Sequence, residues 1–164
     1  MPDTTHERTA RFWKRPLPDH FLPMAIPRHL RSVTPEDIPA LSELFFSAFF
    51  GTIDHGGQTE AQYASKAKAI LGGRYGEWIP EASWTIEQSV HFGQYDSFAT
   101  TNPTVAQLSL IATAPSFKRM GGGGALLEAA LVSLQRLGYM ACCAMITAGN
   151  APSELLFASQ GFAP

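Results

Sequence analysis

The sequence is short of cysteine, short of charge and without any long apolar run, and each shortage narrows what the chain can be. Its only cysteines, Cys142 and Cys143, are adjacent within an apolar stretch. That placement suits neither a disulfide framework nor a metal spacing such as C-x-x-C, so both read as buried, reduced thiols and no metal site is expected. Charged residues are 16% of the 164, against about 25% in an average soluble domain, which implies an unusually neutral surface. A net charge of −2 lacks the basic footprint of a nucleic-acid-binding domain. No segment reaches the ~18 apolar residues of a membrane span, and the opening MPDTTHERTARFWKR has no signal-peptide apolar core. The expectation is a cytoplasmic protein with neither a membrane nor a nucleic-acid partner.

What is present is enough for one domain. Hydrophobic residues make up 45% of the chain, an ordinary share for a soluble fold with a proper core. The basic residues Arg8, Arg11, Lys14, Arg15, Arg28 and Arg31 crowd the start, against only Asp3, Glu7 and Asp19. Residues 1–28 are expected to be a basic, proline-rich tail in which Pro16, Pro18, Pro23 and Pro27 break regular structure, with packing through Phe12, Trp13 and Phe21. Residues 29–164 are the folded domain.

Within that domain the periods alternate. Residues 29–34 read as a strand, and Thr34-Pro35-Glu36-Asp37 as a helix start with cap, N1 proline and first-turn acids. Ile38, Leu41, Leu44, Phe45 and Ala48 recur at helical spacing. After the loop GTIDHGG a second helix spans 59–71, with Ala61, Ala64, Ala67 and Leu71 as its expected apolar positions and Gly72-Gly73 as its stop. Residues 84–87, 90–92 and 105–112 read as strands, with a long polar connection over 93–104. Residues 122–137 read as a helix, the apolar run 140–147 as a buried strand and 152–159 as a last helix. The fold class is α/β, with one mixed sheet flanked by helices and no internal repeat.

The chemistry concentrates in Thr113-Ala-Pro115-Ser-Phe-Lys118-Arg119-Met120-Gly121-Gly122-Gly123-Gly124. A strand ends, a turn follows, and glycines open a helix whose first N–H groups and dipole favour an anion. Glycines remove the Cβ atoms that would hold a phosphate away, and Lys118 and Arg119 add cations there. A flexible linker has the same composition, but this run lies between a buried strand and a strongly periodic helix. A P-loop needs Gly-Lys-Ser/Thr, and here Ala125 follows Gly124; a dinucleotide fingerprint needs a sixth-position glycine, and Leu126 stands there.

This segment resembles the acetyl-CoA motif of the GCN5-related N-acetyltransferases, the GNAT superfamily, as Thr113-x-Pro115-x-x-Lys118-x-x-Gly121-x-Gly123. A second signature of that family, an Asn, a distal Tyr and a Gly-Phe, is matched by Asn150, Phe157 and Gly161-Phe162. The resemblance implies an acyl-CoA N-acyltransferase fold, with a mostly antiparallel sheet, and acetyl-CoA as cosubstrate. It implies that the backbone of Ile111, Ala112 and Thr113 meets the pantetheine arm. The turn Lys118, Arg119, Met120, Gly121, Gly122, Gly123 and Gly124 would hold the pyrophosphate, with the Arg119 side chain meeting the 3′-phosphate in solvent. Asn150 and Phe157 would lie near the thioester. The implied reaction is direct acetyl transfer to an amine of a small molecule or protein, without a covalent enzyme intermediate.

The chain departs from that pattern at its proton-handling positions. Phe157 stands where the family's usual tyrosine acid would be, Gln107 and Met145 where glutamates occur. No catalytic residue is therefore assigned. His55, with a pKa suited to a base at neutral pH, Glu87 and Ser109, expected to share a strand face with Gln107, are the remaining candidates, and Asp54 would face a cationic amine. A module that binds an acyl-CoA without turnover is the alternative. The family's last two strands have no counterpart before Pro164, so the strand 140–147 is expected to have an open edge. A partner chain in a homodimer, the N-terminal segment, or residues beyond this sequence would cover it.

Overall fold

Alternating apolar residues draw seven strands into one sheet among the described residues, and helices close both of its faces. The computed structural model describes residues 9–18, 26, 29–86, 89–95 and 105–164. In chain order the elements are β1 (Ala10–Pro16), β2 (Arg31–Ser32), α1 (Ile38–Phe49), α2 (Glu60–Leu71), β3 (Glu77–Trp78), β4 (Trp84–Ile86), β5 (Ser89–Tyr95), β6 (Val105–Thr113), α3 (Gly122–Arg136), β7 (Ala141–Thr147) and α4 (Ala151–Ser159). The sheet order is β1-β7-β6-β5-β4-β2, and β3 pairs with β5. All neighbours are antiparallel except β6 and β7. No helix of the described residues is long and apolar enough to cross a membrane.

The expectation of a tail without regular structure does not hold for Ala10–Pro16. These residues form a strand paired along the whole of β7, from Ala10 opposite Thr147 to Pro16 opposite Ala141. Pro16 ends the strand, where a missing N–H is tolerated, and does not break it. Trp13 and Leu17 are buried in the core with Cys142, Ala144 and Ile146, whereas Phe12 is 52% exposed. The outer edge of β1 exchanges two backbone hydrogen bonds with Ala163 and carries Arg11 and Lys14, charges that discourage further pairing. The N-terminal segment is thus the cover of the β7 edge, and the edge-based reason for a homodimer lapses.

Smaller differences have local causes. Only Arg31–Ser32 of the segment 29–34 enters the sheet, and the turn at Pro35–Asp37 is 3-10 before α1 begins at Ile38. The Asp37 carboxylate accepts the Thr34 N–H at 2.9 Å and both Arg31 guanidinium nitrogens at 2.6 and 2.8 Å. Helix α2 buries Tyr63, Ala67 and Ile70 in place of the expected Ala61 and Ala64, because a tyrosine offers a large apolar body beside its hydroxyl. The polar connection expected over 93–104 begins later, since β5 continues to Tyr95; residues 96–104 lie outside the described residues.

Two predictions test this construction. Trp13→Ala should cost about 3–5 kcal/mol of unfolding free energy, the usual range for a buried aromatic, while Phe12→Ala should stay within about 0.5 kcal/mol; urea titration of both variants separates a core strand from a loosely attached tail. Asp37 lies below its ordinary pKa because Arg31 hydrogen-bonds its charged form. A depressed carboxylate contributes stability above its unfolded pKa and loses it as pH falls through the lower folded value. Asp37→Asn should therefore cost about 1 kcal/mol at pH 7, a figure that allows for the solvent exposure of Arg31, and the difference from the parent should vanish in acid below that folded pKa.

Candidate active site

Strand β6 carries the geometry on which the site depends. Its register against β5 pairs Phe92 with Leu110 but Gly93 with Leu108, so it skips Ser109. An extra residue of this kind is a β-bulge, which bends and twists its strand. Core membership shows a change of face: Ala106, Leu108 and Ile111 belong to the core under α3 and α4, while Leu110 and Ala112 belong to the core under α1 and α2. The alternation on which a shared face for Gln107 and Ser109 rested is interrupted at this point.

The parallel pairing of β6 with β7 ends at the same place. It runs from Val105 opposite Ala141 to Leu108 opposite Ala144, after which the two strands separate. Residues 145–147 are still held by β1, so β7 stays extended while β6 leaves it. A cavity of about 310 Å³ occupies the opening. Its walls are Leu108–Ile111 from β6, Ala144–Thr147 from β7, Phe49 from α1, Gln62, Tyr63 and Lys66 from α2, Asp54 and Gln58 from the intervening loop, and Asn150, Ser153 and Phe157 at α4.

The polar groups of that wall are fixed by neighbours. Asn150 caps α4, its Oδ1 accepting the Ser153 N–H at 3.3 Å, while its Nδ2 donates to Asp54 Oδ2 at 2.6 Å. One side chain thereby ties the α1–α2 loop to the end of β7. Lys66 has its pKa lowered by desolvation, which disfavours the ammonium, and Asp54 opposes that shift by attraction. Tyr63 is buried and its Oη lies 3.5 Å from both His55 Nδ1 and Gln58 Oε1. Phe157 is buried edge-on to Phe162 at 5.0 Å.

The glycine-rich turn follows β6 directly. Helix α3 starts at Gly122 after Gly121, which has φ +86°, and Arg119 also adopts a left-handed φ of +64°, a rare and costly state for a residue with a side chain. A Cβ on Gly121 or Gly124 would meet nothing within 4 Å, whereas one on Gly123 would touch Leu156 at 3.5 Å. The helix start therefore presents an open, side-chain-free approach to its first N–H groups. The Lys118 ammonium is turned elsewhere: Nζ donates to the Ala48 carbonyl at 3.2 Å, near the end of α1. Of the two expected cations, only Arg119 is left for the turn.

Of the sequence-predicted residues, Ser109, Ile111, Asn150 and Phe157 line the cavity, as does Met145. Ala112 is buried against α1 and α2, and the exposed Met120 lies in the turn. His55 stands beside the wall and packs edge-on to Phe50 at 5.2 Å. Gln107 is not part of the lining, and Glu87 lies outside the described residues. Sequence reasoning missed Gln62, Tyr63 and Lys66, which recur at one helical face of α2; that spacing was a usable signal, obscured by reading the alanines as the apolar stripe.

No protein-family model matches the sequence, and no curated protein matches it. Solved structures do. The chain aligns with the ribosomal-protein-alanine N-acetyltransferase of Brucella melitensis at TM-score 0.59 and 21% identity, covering 80% of this chain and 82% of that one. It aligns with the ribosomal-protein-S18-alanine N-acetyltransferase of Escherichia coli at TM-score 0.59 and 23% identity, over 80% and 75%. A GNAT-superfamily phosphinothricin acetyltransferase of Sinorhizobium meliloti, solved with acetyl-CoA, aligns at TM-score 0.61 and 19% identity, over 80% and 72%.

The Asn150–Asp54 bond makes a testable link. A double-mutant cycle with Asn150→Ala and Asp54→Ala should return a coupling of about 1.5–3 kcal/mol, as for a hydrogen bond to a charged group. Asn150→Ala alone should cost more, because the α4 cap is lost as well. A coupling near zero would show that the loop is not held through this contact.

Proposed function

We propose that the chain, which has the fold of the GNAT acetyltransferases with two parallel strands that separate beside a glycine-started helix, belongs to that superfamily and is an acetyl-CoA-dependent N-acetyltransferase acting on an amine of a small molecule or protein. The observation that carries this reading is the continuity of the β6–β7 opening with the turn before α3. Past Leu108 the β7-facing edge of β6 has no paired strand among the described residues, and such an edge suits the amide-bearing pantetheine chain much as it would suit a peptide. The open helix start beyond it suits a pyrophosphate. The residues present thus fit the cosubstrate from one end to the other.

Acetyl-CoA supplies an acyl group activated as a thioester. In the proposed reaction the amine nitrogen bonds to the acyl carbon, the carbon–sulfur bond breaks, and the proton shed by the amine balances the charge of the departing thiolate. A backbone N–H near Thr113 would polarise the acyl oxygen, and the apolar walls of Leu108, Ile146 and Phe157 would keep water from the thioester. Phe157 has no hydroxyl, so the polar wall of Asp54, Tyr63 and Ser109 would have to carry the proton away. Phe157, Gln107 and Met145 together favour the second reading, an acyl-CoA-binding module without turnover.

Calorimetric titration with CoA, followed by thiol release from acetyl-CoA over a panel of amines, separates the two. Saturable CoA binding with release is expected; binding without release for any amine selects the module, and no CoA binding sinks both. Gly124→Ala should act with opposite signs, raising unfolding stability by about 0.4–1 kcal/mol as a helix glycine is replaced while weakening CoA binding by crowding the approach to the N–H groups. Phe157→Tyr should raise the release rate if position 157 adjoins the leaving sulfur.

A further inference from the structure

Lys66 is used by nothing so far described. It lines the cavity from α2, and among the described residues its ammonium makes no hydrogen bond and no salt bridge. Much of its side chain meets solvent, yet the protein around it desolvates the ammonium enough to lower its pKa, with only a longer-range attraction from Asp54 in return. An ammonium that lines a small cavity and is not ion-paired there is placed to donate a charge-assisted hydrogen bond to an anionic ligand. Around it the wall offers Gln58, Gln62 and Tyr63, neutral hydrogen-bonding groups, and Asp54 is the carboxylate of the same wall. The cavity volume of about 310 Å³ equals about ten waters at ~30 Å³ each, room for an acetyl group and a small acceptor.

We infer that Lys66 determines acceptor specificity by binding a carboxylate, so that the acceptor is a small amino acid-like zwitterion with its amine toward Asp54 and the β6–β7 opening. Opposite charges lining one small cavity read both ends of such a molecule and orient it, which a lone carboxylate would not do. The inference deepens the acetyltransferase reading and rests on it for the fate of the amine, but the binding of the carboxylate stands on the cavity alone.

The test is calorimetric binding of the common α-amino acids, each beside its carboxamide, to the full chain with and without CoA, together with thiol release from acetyl-CoA for the same pairs. At least one free amino acid should bind about ten-fold or more tightly than its carboxamide, as expected for a charge-assisted contact. Lys66→Met should abolish that ratio, Lys66→Arg should retain most of it, and Lys66→Glu should reverse it. Because Lys66 is largely at the surface, circular dichroism of all three should match the parent. Equal binding of acid and amide, a preserved ratio in Lys66→Met, or no binding by any amino acid overturns the inference. Thiol release with amines lacking a carboxylate would then leave the acetyltransferase reading standing; loss of CoA binding with an intact acid-to-amide ratio would do the converse.

Discussion

Everything at the candidate site follows from one extra residue in β6. The register skips Ser109, and on either side of it the buried side chains of the strand belong to different cores. A strand that changes face within a pleated sheet cannot keep its neighbour on a regular ladder, because side-chain alternation and backbone pairing are coupled. The β6–β7 ladder accordingly ends at Leu108 and Ala144. The opening so created has backbone on one edge, apolar side chains from both cores, and the start of α3 beyond it.

An opening between central strands is affordable only if each strand is held elsewhere. β6 keeps β5 from Ala106 to Thr113 apart from the bulged Ser109. β7 keeps β1, and that partner comes from the N-terminal segment rather than from chain after Gly161-Phe162. Trp13 buries its ring against the same core that Leu127, Ala130 and Phe157 build, so the strand is anchored by packing as well as by its ladder. Its outer edge is then closed by Ala163 and by charge, which leaves no long apolar edge on that side.

The chemistry of the cavity is divided by element. Sheet and α4 contribute mostly apolar walls, with Ser109 and the capping Asn150; α2 and the preceding loop contribute the charged Lys66 and Asp54. The Asn150–Asp54 bond at 2.6 Å joins the two halves. A wall that is charged on one side and apolar on the other suits a reaction in which a polar acceptor meets a thioester that must stay dry.

Much was legible in the sequence, and what was legible was local. Helix periodicity placed α1 and α3, the apolar run placed β7, and the four glycines marked a helix start stripped of side chains, because such features act through neighbours three or four residues away. Three things required the tertiary structure. The bulge at Ser109 falls in a mostly apolar strand whose side chains do not mark it, so only pairing with β5 reveals it. The N-terminal strand carries charges and prolines suited to an edge, which in sequence resemble a tail until β7 is beside them. Lys66 and Tyr63 sit on an ordinary helix, and only the packing of α2 over the opening turns them into a wall of the site, since which face of a helix meets a cavity is decided by what it packs against.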